Sequence, residues 1–445
     1  MTTTANSTRR HLLFPWIVWI IGTLYFLFDY TNQVVPGAMK PELQHAFDAN
    51  AMQFGFFASS YFYIYAAMQI PVGLLGDRFG PKRPLAIAAC VAVAGGFLFT
   101  QADSVLTATL ARMMIGIGAS FSFVSVLMLI RHWFAPERFS ILIGLTNMAG
   151  MIGAIGADNV LSLAAQPTEF GWRWTIGALA AIGAIVMLGI IFVVRDHPAG
   201  TRRPPEAPPP LSARDAWRHL KTTVCSMQMW ISGVYAATIA TVFMTFGAVW
   251  GSLYLERIFG LSPTAAASMA SLVFVGAIPG SFFFGWFSGK IKRRKLPMII
   301  GSGGALTSFL LLAFVIGDSV WLGRACLLGM GFFGCGNVVA YAIGDDNSPI
   351  GGEGIGLGFI NTWLIGGGAG FGPIIGALLV WQRPHVTSTS NYTMAELNIA
   401  FIPLTACLVL SLVASLLVRE TRCQRQGSSP DPLAQTPPCA AARLA

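Results

Sequence analysis

Twelve apolar runs follow one another along this 445-residue chain, at about 14–36, 51–75, 85–101, 105–133, 139–164, 172–194, 229–256, 264–288, 297–316, 320–344, 355–381 and 397–418. A helix needs about 20 such residues to cross a hydrocarbon core, so each run has the length of a membrane span. Only 11% of the residues are charged, whereas soluble domains carry roughly 25%. The chain cannot cover itself in polar surface, and its expected solvent is lipid. The predicted fold class is all-α: a membrane protein of twelve transmembrane helices.

Positive charge orients the spans. With the N-terminus inside, the inner loops and tails hold 22 of the 28 Lys and Arg residues. Lys40, Arg173, Arg257 and Arg383 fall outside, and Arg112 and Arg324 lie within spans. That bias predicts both termini on the cytoplasmic side. It also accounts for the net charge of +9 without nucleic acid, since no basic patch interleaved with aromatics occurs. None of the seven cysteines falls in an outer segment and no C-x-x-C pair occurs, so neither disulfides nor a zinc site are expected. All six histidines lie in loops or at span ends. No metal or cofactor is implied. The run DHPAGTRRPPEAPPPLSARD, between spans six and seven, is too rich in proline to pack and reads as a linker. A short amphipathic helix after it, from Ala213 to Cys225, is expected to lie on the membrane surface. The expected domains are 1–194, 195–226 for linker and helix, 227–418, and a disordered tail over 419–445.

The two halves repeat. Span four carries Arg112, Gly116 and Gly118, and span ten carries Arg324, Gly329 and Gly331. The loop after span two reads Gly73-Leu74-Leu75-Gly76-Asp77-Arg78-Phe79-Gly80-Pro81-Lys82-Arg83, and the loop after span eight reads Gly285-Trp286-Phe287-Ser288-Gly289-Lys290-Ile291-Lys292-Arg293-Arg294. A motif recurring after the second span of each half marks a duplicated six-helix unit, hence two pseudo-symmetric bundles. The first loop resembles the signature of the major facilitator superfamily at every fixed position: Gly73, Asp77, Arg78, Gly80, Lys82 and Arg83. Arg112 with its glycines, and Gly171-Trp172-Arg173-Trp174 opening span six, resemble that superfamily too. Within that superfamily Tyr65, Gln69, Pro71 and Gly73, with the general pattern, resemble bacterial organic-solute permeases, sugar-phosphate-permease-like and phagosomal nutrient transporter sets among them. The resemblance implies alternating access and a cytoplasmic gate in which Asp77 faces the start of span eleven, near Ser348 to Gly358. A carboxylate is favoured at a helix N-terminus by about 0.3–1 kcal/mol. The second loop departs from the pattern, with Gly289 where an acid would stand.

A charge inside a span costs roughly 2.5–3.5 kcal/mol and is a functional candidate by default. Asp29 and Arg112 each lie about seven residues, roughly 10 Å, from the outer end of their spans. They can therefore pair at one depth, and an Asp–Arg pair between spans one and four resembles the coupling site of proton-linked sugar porters. Asp29 and Asp158 are the carboxyls inside the expected spans, with Glu256 at an outer edge; a static ion pair is the rival reading. Tyr25, Asn32 and Gln33 share a face with Asp29. Trp250 and Tyr254 in span seven, Asn337 and Tyr341 in span ten and Asn361 in span eleven complete the candidate substrate pocket, although each could equally join helices.

The predicted function is proton-coupled uptake of a small polar organic solute by a monomeric carrier in a bacterial inner membrane. Export of a drug or siderophore is the alternative, and a non-transporting ligand sensor of the same fold is another. An enzyme is not expected, because no nucleophile–base set or metal cluster shares a cavity.

Overall fold

The structure, a computed structural model, describes residues 2–49, 51–166, 169, 171–197, 212–315, 317, 319–382 and 392–424. The proline-rich part of the linker, Arg383, the tail beyond 424 and the side chains of Asp158 and Asn159 lie outside the described residues. The described chain is helical throughout, and eleven helices are long and apolar enough to cross a membrane. The second expected span is also a helix, Ala51–Phe79, of 29 residues. It is the least apolar because it carries Ser59, Ser60, Tyr61, Tyr63, Tyr65 and Gln69. Of these, Ser60, Tyr61, Tyr65 and Gln69 are buried, so most of its polarity is turned inward, away from lipid.

Five expected spans are broken helices; two of them, 264–288 and 397–418, divide at Ser271 and Phe401. The run 105–133 divides into Val105–Ser120 and Ser122–Trp133, and the run 320–344 into Val320–Gly334 and Asn337–Asp346. Span seven passes from Met227–Ile239 through a π-helical stretch, Val242–Trp250, into Gly251–Phe259. Such irregular turns cluster at functional sites because they free backbone groups and re-aim side chains.

Contacts divide the chain into two units. The first comprises 1–136, 149–220 and 351–358; the second comprises 137–148, 221–350 and 359–445. Relative to domains drawn along the sequence, two short segments are exchanged. Each is the beginning of a long helix, Pro136–Ala164 or Glu353–Gln382, and each is gripped by a copy of the repeated loop. In the first unit a side chain at Gly73 would collide with the Gly354 carbonyl, so only glycine permits this approach. In the second, Gly285 meets the Ser140 backbone in the same way, and a Cβ at Gly289 would lie 2.7 Å from the Glu137 carbonyl oxygen.

Candidate functional site

The helix Thr2–Ala38 contains Pro36. Proline has no N–H, so the carbonyl of Asn32, four residues earlier, lacks its helical donor. Arg112 supplies one: its Nη1 donates to Asn32 O at 2.7 Å. One turn deeper, Asp29 is fully buried and accepts hydrogen bonds from three side chains. Gln33 Nε2 donates to Oδ1 at 3.1 Å, the Tyr61 hydroxyl donates to the same oxygen, and the Ser122 hydroxyl donates to Oδ2 at 2.5 Å. Ser122 is the first residue after the break at Phe121, and the break aims it at the carboxylate.

The expected direct ion pair between Asp29 and Arg112 is not formed. Tyr61 stands between them, its hydroxyl on the carboxylate and its ring 4.8 Å below the guanidinium carbon. Phe57 adds a second ring at 6.0 Å. Asn32 lies three residues beyond Asp29, about 4.5 Å along the helix, and its free carbonyl draws the guanidinium to that level. Arg112 is fully buried, yet its Nε and Nη2 have no partner among the described residues. These two nitrogens share one edge of the guanidinium, the edge that takes a carboxylate side-on through two parallel bonds. A buried cation with two idle donors is costly in a folded protein, and an anion would satisfy both. Tyr61→Phe strips one donor from the buried carboxylate and is expected to destabilise the fold by about 1–3 kcal/mol, read as a lower thermal midpoint in detergent.

The remaining candidates are mostly engaged in packing. Tyr25 is fully buried and donates to Gly118 O at 3.0 Å; Asn32 Nδ2 donates back to Phe28 O at 2.8 Å. Tyr254 donates to Asn398 Oδ1 at 2.9 Å inside a cluster with Phe246, Phe309 and Phe401. Trp250, at the end of the π-helical stretch, donates to Gly372 O at 2.9 Å. Tyr341 and Asn361 are brought together, hydroxyl to Oδ1 at 2.6 Å, both buried. Asn337 is half-buried beside the break in its span. A recess of about 360 Å³ in the second unit is lined by Val234, Thr238, Trp363, Phe371 and Leu410 among others, and includes none of the candidate pocket residues.

Asp77 sits at the first turn of Glu353–Gln382, its two oxygens accepting from Gly354 N at 2.7 Å and Ile355 N at 2.9 Å. Gly80 takes a positive φ of 77°, and the turn it makes lets Asp196 accept from Lys82 N at 2.7 Å. Arg78 lies over the Phe79 ring, and Arg83 is exposed. Losing a charged acceptor costs about 1.5–3 kcal/mol. Asp77→Ala is therefore expected to speed amide exchange at Gly354 and Ile355 by about ten- to a hundredfold, measured by hydrogen exchange.

The second loop holds residues that sequence reasoning missed. Arg294 is 1% exposed. Its guanidinium donates to Asp346 Oδ2 at 3.2 Å, to Ser288 Oγ at 3.1 Å and to Ser140 Oγ. Glu420 caps the helix Lys295–Phe314 through Arg294 N at 2.7 Å and Lys295 N at 3.1 Å, and Thr421 donates to Asp346 at 2.6 Å. Asp345 and Asp346 are thus buried carboxyls beyond the two read from the spans. The expected span ended at 344, one residue short of them, and Asp346 takes its partners from Arg294 and Thr421, far along the chain.

Residues 21–373 match the sequence model of the major facilitator superfamily, and 235–439 match it again. The chain belongs to the major facilitator superfamily. Among its relatives is the probable galactarate/D-glucarate transporter GudP of Bacillus subtilis, 22% identical over 381 residues, covering 78% of this chain and 82% of that protein. The probable sulfoacetate transporter SauU of Cupriavidus necator is 28% identical over 190 residues, 42% of each chain. The fold is shared with the proton:xylose symporter XylE, at a TM-score of 0.68 and 14% identity over 93% of this chain and 97% of that one.

Proposed function

We propose that this superfamily member is a secondary transporter that couples a small organic anion to protons, with Arg112 holding the anion and Asp29 carrying the proton. One observation carries the reading: the buried, unpartnered Nε–Nη2 edge of Arg112. It narrows the solute from polar to anionic, because a guanidinium edge is matched by carboxylate or sulfonate oxygens and not by a neutral hydroxyl. The names of the two relatives, for sugar diacids and a sulfonated acid, point to the same chemistry.

Among the described residues Asp29 accepts from Gln33, Tyr61 and Ser122, and no cation bonds to it. A carboxyl so placed inside a span is the natural proton carrier. Tyr61 links the two groups, so loss of the Asp29 charge would release the phenol and shift the ring beneath Arg112. Uptake, alternating access by rocking of two bundles, and cytoplasmic termini set by the positive-inside bias belong to the same proposal.

The test uses purified full-length protein in liposomes with an imposed pH gradient, offered galactarate, sulfoacetate, nitrate and neutral sugars. Gradient-driven uptake of an organic anion supports the reading. Preference for a neutral sugar, or binding of an anion without flux, refutes it.

A further inference from the structure

The helix Ala213–Cys225 has two unlike faces. Positions 216, 219, 220 and 223 form one stripe of a 3.6-residue helix. Ala216 and Thr223 there are buried, and His219, half-buried, lies beside the Gly351 backbone. Arg214, Trp217, Arg218 and Lys221 form the opposite stripe at i, i+3, i+4 and i+7, all exposed, Trp217 to 68%. The helix has one acid, Asp215, and it is engaged at the N-terminus, where the Ser212 hydroxyl donates to its Oδ2 at 2.6 Å. The outer stripe carries a tryptophan framed by three cations.

Its position says what it faces. A single residue, Ser226, separates this helix from Met227–Ile239, the start of a membrane span. The corner is fixed by Trp230, whose indole N–H donates to Val224 O at 2.6 Å. Met227 and Trp230 are themselves exposed, to 71% and 40%. Large apolar side chains beside cations at a span end are the composition of the membrane–water interface.

We propose that this face binds the headgroups of anionic phospholipids, Arg214, Arg218 and Lys221 on the phosphates and Trp217 among the glycerol and upper acyl groups. The complementarity is of charge, since each cation at an anionic surface strengthens binding about fivefold and three together about a hundredfold. Lipid held on the outer stripe also steadies the inner one, where His219 meets the segment capped by Asp77.

The test needs no transport assay and so stands apart from the proposed function. Full-length protein in detergent is titrated with short-chain phosphatidylglycerol, short-chain phosphatidylcholine or glycerol 1-phosphate while thermal unfolding is followed. Phosphatidylglycerol should raise the midpoint, and the other two should not. In R214Q/K221Q the concentration for half the effect should rise about 25-fold with the lipid-free midpoint unchanged, and in R214Q/R218Q/K221Q about a hundredfold. A parent protein indifferent to phosphatidylglycerol, variants that respond as the parent does, or an equal response to glycerol 1-phosphate would each overturn the proposal.

Discussion

Arg112→Gln is expected to lower uptake of an anionic substrate by about 30-fold to several thousandfold, since removing one member of a buried, charged hydrogen-bonded pair costs about 2–5 kcal/mol. The loss should fall on KM as well as turnover, because the guanidinium edge contacts the anion before and during translocation. Arg112→Lys separates charge from geometry. Lysine offers a point charge without the two-donor fork, so it should recover part of the affinity but not the preference for carboxylate over other anions. Radiotracer uptake across a series of mono- and dicarboxylates measures both. If Arg112→Gln transports a dicarboxylate at the parent's rate and KM, the idle donors of the guanidinium have another purpose.

Asp29→Asn is expected to abolish accumulation while preserving exchange. One coupled proton makes each pH unit of imposed gradient worth about tenfold in the substrate ratio; the variant should equilibrate its substrate and go no further. Asparagine keeps the size of the side chain; its amide oxygen can still accept from Tyr61 and Gln33, while its Nδ2 donates to the Ser122 hydroxyl. Counterflow of labelled internal for external substrate should therefore survive. Uphill uptake matching the parent would remove Asp29 from the coupling path. The two variants differ in kind: the first weakens recognition, whereas the second leaves recognition intact and disconnects it from the proton gradient.

Much of this molecule is legible along the chain, because a bilayer imposes local rules. A span must be apolar for about 20 residues and must satisfy its own backbone, and both requirements are met within contiguous sequence. The repeated loop is equally local, so Asp77 could be singled out before any contact was known. The cluster around Arg294 could not. Its acceptors come from residues 140, 288 and 346, and its loop is capped by residue 420, and nothing in a window of sequence connects them. The one local clue was Gly289, where the acid of the first loop is missing; the Glu137 carbonyl occupies the approach instead.

The sequence by itself determined the class of solvent, the helical architecture, the repeated loop and the presence of two opposite charges inside spans one and four. Only the tertiary structure decided that those charges do not touch. The reason is a backbone detail: Pro36 withholds an N–H from the Asn32 carbonyl, Arg112 turns outward to that oxygen, and Tyr61 fills the gap and reaches Asp29. Apolar periodicity records which residues are buried in lipid or protein, but a side chain's partner depends on which carbonyls and hydroxyls the neighbouring helices bring to its level.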